Sequence, residues 1–264
     1  MTEIAAIGHL TRDVVAGAAP RPGGGVFYAA RSLARLGAGA HVAAACAPRD
    51  KEALLPALEA FGLPVAWFPS SKTTAYTFHY EGDRRVMWQD AVGDPWTPSR
   101  ALEAAADAGW VHVAALTRTD FSSAALAALS PGRRLLLDAQ GLVRTAALGP
   151  LRTDRAIGDV LRHVAMLKLN AEEAETLVGG TAPTRLRSLG VPEILLTLGA
   201  RGSIVVTSDV VERLPEVAVA GTVDPTGAGD TYAAAYLASR ARGADAVEAA
   251  RVAAATVSSF LSGG

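Results

Sequence analysis

The chain has 264 residues, half of them hydrophobic and 19% charged, which supports a sizeable core and excludes intrinsic disorder. Its 25 Lys+Arg against 26 Asp+Glu leave a net charge of −1, so no basic face is expected for nucleic acid. Cys46 is the single cysteine, which excludes an intramolecular disulfide and a cysteine zinc cluster. No apolar run reaches the roughly 18 residues of a membrane span, and the first residues lack a secretory pattern. A cytoplasmic protein without a membrane partner is expected.

In chain order, Ile4–Gly8 reads as a strand. Val26–Leu36 reads as a helix stopped by Gly37. His41–Cys46 and Lys51–Phe61 repeat that alternation. Thr73–Tyr80 and Arg84–Gln89 flank Glu81-Gly82-Asp83 as a hairpin, with Tyr76, Phe78 and Tyr80 on one face. Thr97 is the expected N-cap of the helix that follows, with Pro98 at its first position. Further strands are predicted at Trp110–Ala114, Leu135–Asp138, Ala165–Leu169, Ile194–Leu198 and Ser203–Val206. Helices are predicted at Ser122–Leu129, Asp154–Arg162, Ala171–Val178, Thr184–Leu189 and Asp245–Phe260. Apolar strands with helices between them predict a mostly parallel sheet covered on both faces, with ligands beyond the carboxyl ends of its strands.

The chemistry concentrates in Asp224-Pro225-Thr226-Gly227-Ala228-Gly229-Asp230-Thr231, a glycine-rich turn leading into a strong helix former. Unpaired amides and the positive end of the helix dipole make such a start an anion site. Asp230 beside that anion has two readings: a helix N-cap, or an acceptor for the proton of an attacking hydroxyl in phosphoryl transfer. Both stay open on these grounds. The five histidines show no metal-ligand spacing, and no P-loop or dinucleotide fingerprint occurs.

The same eight residues closely resemble the C-terminal signature of the PfkB (ribokinase-like) carbohydrate kinases. Pro22-Gly23-Gly24-Gly25, Lys168-Leu169-Asn170-Ala171-Glu172-Glu173 and Thr197-Leu198-Gly199-Ala200-Arg201-Gly202-Ser203 resemble that family's other motifs, in the right order. The resemblance implies a single domain over 1–264. Its fold would be a three-layer α/β/α arrangement with a mostly parallel central sheet, and a small β lid formed by about 10–20 and 70–92. It implies an ATP- and Mg²⁺-dependent kinase acting on a hydroxyl of a small sugar or cyclitol. Asp230 would be the base, and Gly227, Ala228 and Gly229 the anion hole. Asp13, Gly23, Gly24 and Tyr28 would line the acceptor site. Asn170, Glu173, Thr197, Gly199 and Gly202 would line the donor site, with Glu173 reaching Mg²⁺ through water. A homodimer through the lid is also implied.

Tyr28 stands where sugar kinases of the family often carry Asn, and the chain ends 34 residues after Asp230, so a more open adenine pocket is expected. Leu137–Arg144 resembles a segment of shorter members that include inositol kinases. A nucleoside kinase, and a kinase-like binding protein without catalysis, are the alternatives.

Overall fold

A computed structural model of the chain describes residues 3–15, 18–81, 84–215 and 224–262, without the side chains of 79–81, 84 and 85. The chain runs β1 (Ile4–His9), β2 (Thr11–Val15), β3 (Arg21–Gly23), α1 (Gly25–Arg35), β4 (Ala40–Cys46), α2 (Lys51–Glu59), β5 (Val65–Pro69), β6 (Thr74–Glu81) and β7 (Arg84–Ala91). It continues through α3 (Pro98–Ala105), β8 (Trp110–Ala114), α4 (Ser123–Leu129), β9 (Arg134–Asp138), α5 (Gln140–Val143), β10 (Gly149–Pro150), β11 (Met166–Asn170), α6 (Ala171–Val178) and α7 (Pro183–Arg187). It ends with β12 (Glu193–Thr197), β13 (Ser203–Val206), β14 (Val211–Leu214), α8 (Ala228–Ala241) and α9 (Ala246–Leu261).

The main sheet has the order β14-β13-β12-β11-β9-β8-β1-β4-β5. From β12 to β5 every described pairing is parallel; β13 and β14 run antiparallel at one edge. Alternate residues of each strand enter opposite cores, the period-two signature of a strand buried on both faces. Leu135, Leu137, Leu167, Leu169, Ile194 and Leu196 share one apolar cluster with residues of α3, α4 and α6. Leu136, Met166 and Leu195 share the other with α1, α8 and α9. That is a three-layer α/β/α sandwich. A second sheet, β10-β7-β6-β2-β3, is entered from the C-terminal ends of β1 and β5, so it stands over the edge where such sheets bind ligands.

Local signals explain the boundaries. Thr97 caps α3 through the Arg100 amide, with Pro98 in the first turn. Ser122 caps α4, and Asp245 caps α9 with bonds from the Val247 and Glu248 amides. The helix expected over Asp154–Arg162 does not form. The Asp154 carboxylate turns back onto the Ala156 amide (2.8 Å) and pairs with Arg118 (2.5 Å), and Gly158 takes φ +60°. Only a short 3-10 turn, Val160–His163, remains.

The C-terminal half of α8 is fastened to the sheet by charge. Glu193 on β12 accepts from Tyr236 Oη (2.6 Å) and from Arg240 Nε and Nη2 (3.0 and 2.7 Å). Removing one partner of a largely buried pair strands the other. Glu193→Ala is expected to cost about 3 kcal/mol, read as a lower urea midpoint with an unchanged slope; a shift below about 0.5 kcal/mol would make the cluster energetically idle.

Candidate active site

Helix α8 begins at the glycine-rich turn. Gly227 is its N-cap at φ +82°, and a Cβ there would lie 2.2 Å from the Tyr28 ring, so only glycine fits. Asp224 Oδ1 accepts from the Thr226 amide and hydroxyl (3.0 and 2.5 Å), and its Oδ2 from Arg21 of β3 (3.2 Å). The Ala228 amide already donates to Pro225 O (3.0 Å). This corrects the expected anion hole: Ala228 contributes shape, and an incoming anion is left with its neighbours' amides. Asp230 occupies the first turn of α8 but is not its N-cap, and no side-chain cap bond forms there. The capping reading therefore fails.

Beneath this turn lie three strand ends. Register pairs His112 with Leu136 and Lys168 with Asp138, so His112, Asp138 and Lys168 all project to the α8 face of β8, β9 and β11. His112 Nε2 and Asp138 Oδ2 are 2.7 Å apart, and Lys168 Nζ lies 3.6 Å from Asp138 Oδ1; all three residues are buried. A Cβ on Gly229 would stand 2.6 Å from Lys168 Nζ, so the ammonium rests directly against the turn. Burial works against charge on Lys168, yet Glu173, Asp138 and Asp230 hold its pKa above the ordinary lysine value. Burial would also raise Asp138, but Lys168 and His112 hold it below the usual carboxylate range. Asp230 goes the other way. Burial first, then Asp138, push it up to about 6 against the opposing pull of Lys168, His112 and Arg144.

The first turn of α1 closes the other side. A Cβ on Gly25 would meet Asp230 Oδ1 at 2.8 Å, and one on Gly24 (φ +95°) would meet His9 O at 2.4 Å. One on Gly23 would meet Asp13 Oδ2 at 2.3 Å. Gly23 and Gly24 are thus explained by close approach within the chain, which seats the buried Asp13 on β2. Tyr28 also has an internal task. Its ring supports Gly227 and meets Phe260 edge-on, and burial together with Asp13 pushes its hydroxyl up to about 12.

Over the cleft, Tyr76 and Phe78 of β6 are buried against Leu116, with Val15, Met87 and Leu151 beside them. This apolar face is covered by the chain itself; the side chains of Tyr80 and His79 lie outside the described residues. The Tyr76 hydroxyl is buried beside Arg144, whose guanidinium pulls against the upward push of burial. Arg144 follows α5 and acts electrostatically on Tyr76, Asp230 and Lys168 together. His9 is fully buried at the end of β1, where its Nε2 donates to Asp94 O (2.9 Å) and its Nδ1 lies 3.5 Å from Asp120.

On the donor side, Asn170 and Glu173 form a capping box. Asn170 Oδ1 accepts from the Glu173 amide and Glu173 Oε2 from the Asn170 amide, both at 2.8 Å. Thr197 ends β12 on the α8 face, and Gly199 turns at φ +62°. Gly202 is fixed by packing, since a Cβ would lie 2.3 Å from Leu214 O. Among the described residues no cluster of three metal-ligating side chains exists. That donor set suits Mg²⁺ held mainly by phosphates and water, with one carboxylate such as Glu173 behind them. No helix among the described residues is long and apolar enough to cross a membrane. Lys168, Arg144, Asp138 and His112 had no assigned role in the sequence; polar residues inside apolar strands were the available signal for His112, Asp138 and Lys168, and the Leu137–Arg144 segment for Arg144.

The sequence profile of the pfkB family carbohydrate kinases matches residues 1–261, and the chain belongs to that family of phosphotransferases. Its fold is ribokinase-like. A pyrophosphate-dependent kinase of the ribokinase family, solved with sulfate, superimposes with a TM-score of 0.87 at 28% identity, covering 98% of this chain and 95% of that one. A structure of such a kinase with a pyrophosphate analog and myo-inositol gives 0.86 at 27%, covering 98% and 94%. A nucleoside kinase of Methanocaldococcus jannaschii is 30% identical over 103 residues, 38% of this chain. That match spans only 33% of the relative's length.

Proposed function

We propose that this chain transfers a phosphoryl group to a hydroxyl of a small polyhydroxylated acceptor, a cyclitol or a sugar, with Asp230 as the base. The carrying observation is the Asp230 carboxylate itself. It sits in the first turn of α8, makes no cap bond, and is pushed up to about 6 between Gly25 and the Asp138–Lys168 pair. A base with such a proton affinity is largely ionised at neutral pH yet accepts a proton readily.

The acceptor lies beyond the carboxyl ends of the main-sheet strands, beside the second sheet, with Asp13 accepting from its hydroxyls. Its reacting hydroxyl gives the proton to Asp230 as its oxygen bonds to the terminal phosphorus, and the bond from that phosphorus to the bridging oxygen breaks. The amides of Gly229 and Asp230 and the Lys168 ammonium meet the charge on the transferred group; such preorganised donors need no reorientation. Mg²⁺, when bound with the donor, would neutralise its phosphates. Glu173 and Asn170 border that region.

ATP is the expected donor. A second reading, pyrophosphate, is favoured by the full-length similarity to a pyrophosphate-dependent kinase and by Lys168 and Arg144, two cations suited to a compact donor held without a base. The partial similarity to a nucleoside kinase keeps nucleosides among the acceptors to test. The test is a matrix of ATP and pyrophosphate against myo-inositol, ribose, fructose and nucleosides, followed by phosphorus NMR of the product. A phosphomonoester from one polyol with one donor is the expected result. Donor consumption that ignores every acceptor would overturn the assignment.

A further inference from the structure

The buried chain His112–Asp138–Lys168 is larger than a core needs. Three ionisable groups sit under one helix start, and fully buried charged residues are rare unless paired. Only Lys168 touches the turn. Asp138 lies one strand behind it, 3.6 Å from the ammonium, and His112 fixes the other carboxylate oxygen at 2.7 Å. The Lys168 ammonium has two carboxylates within its influence besides Glu173, namely Asp138 and Asp230. Which of them it pairs with decides whether the base is free.

We propose that Asp138 is a positioning residue for phosphoryl transfer: locked by His112, it holds the Lys168 ammonium under Gly229, facing the transferred group, and so keeps Lys168 from pairing with Asp230. This rests on Asp230 being the base. The register makes the arrangement rigid. Lys168 and Asp138 are direct partners across the β9–β11 ladder, and the Ala139 amide donates to Lys168 O (2.8 Å), so backbone bonds fix both stems. A lysine without that anchor has a flexible four-carbon stem and is free to settle on Glu173 or Asp230, the two other carboxylates acting on it.

The charged and titratable groups acting on Asp230 and Lys168 are His112 from β8, Asp138 from β9, Arg144 after α5, Glu173 from α6 and Tyr28 from α1. Two substitutions shift their balance in opposite directions. Asp138→Asn removes a negative neighbour of Asp230 and frees the cation toward it, so the acid limb of kcat/KM is expected to move down by about 1–3 pH units. Lys168→Met removes the positive neighbour, so the limb is expected to move up. Both are expected to lose about 10²-fold in kcat at neutral pH. His112→Gln and His112→Leu both lose the imidazole's downward pull on Asp230, but only Gln keeps a donor toward Asp138, so a limb lower in His112→Leu than in His112→Gln is the expected mark of an unlocked Asp138. Opposite shifts for the first two variants support the proposal. An unmoved limb in Asp138→Asn, or movement in the same direction in both variants, overturns it, even where kcat falls. Should Asp138→Asn not fold, Lys168→Met and the two His112 variants carry the same decision. Retained turnover in Asp230→Asn would instead remove the proposed function itself. An inactive Asp230→Asn beside an unmoved Asp138→Asn profile removes only the role given to Asp138.

Discussion

Asp230→Asn is expected to lower kcat by about 10²–10⁴-fold, to change donor KM little, and to raise the melting temperature. The amide preserves shape but cannot take the proton of the acceptor. Nor is a lost cap involved, because Gly227 is the N-cap and Asp230 makes no cap bond. The stability gain follows from linkage. The carboxyl titrates at about 6 in the folded chain against 3.8 as its ordinary value. Between those limits the folded chain binds the proton more tightly than the unfolded one, so stability falls as pH rises through that window. The penalty is complete above about pH 6 and absent below about pH 4. Its ceiling is about 3 kcal/mol, reduced by the partial exposure of the group, and each kcal/mol is worth about 2–4 °C in a chain of this size. Melting curves at pH 8 and pH 4 should therefore differ between the two proteins only at pH 8. The same shift places the acid limb of wild-type kcat/KM near pH 6, since only the carboxylate accepts a proton. Near-normal kcat in the variant, or a wild-type limb near pH 4, would sink the assignment.

The layered α/β architecture was legible because its evidence is contiguous. Strands β8 and β13 and helix α6 stand where apolar runs and caps put them, to the residue. The half-exposed strands β5 and β14 were not legible. Val65–Pro69 is apolar but short, preceded by Pro64 and ended by Pro69, which mask a strand signal, and Val211–Leu214 is interrupted by Glu212 and Arg213. The glycine-rich turn was readable for the same local reason as the helices: a helix start is encoded by neighbours in sequence. His112, Asp138 and Lys168 are neighbours only through strand order, which no single segment contains. Their signal was weak but present: Asp138 follows Leu136, and Lys168 follows Met166, at the inward positions of otherwise apolar strands. Gly23 and Gly24 were readable as close-approach positions, but the partners proved to be Asp13 and the His9 carbonyl. A glycine in a sequence announces crowding without naming what crowds it.

Gly229→Val is expected to abolish at least about 10²-fold of kcat/KM in a chain that remains folded. The backbone at Gly229 lies within α8 and is absent from the left-handed positions, so a side chain introduces no backbone strain. Helix propensity favours the replacement slightly, since glycine is the least favourable ordinary residue in a helix. The obstacle is Lys168. The new Cβ would lie 2.6 Å from Nζ and 3.1 Å from Cε. The ammonium is the end of a flexible chain and gives way more readily than the turn, but it moves away from the position that faces the transferred group. The valine methyls then occupy the surface that the group must approach. Gly229→Ala tests the same contact with a smaller intrusion and should show an intermediate loss with an equal or higher melting temperature. Gly227→Ala is the contrasting control. There φ is +82° and the Tyr28 ring stands 2.2 Å from the new Cβ, so stability and activity should fall together. The comparison separates a turn that must fold from a turn that must bind. A folded and fully active Gly229→Val would remove both the anion hole and the place given to Lys168 beside it.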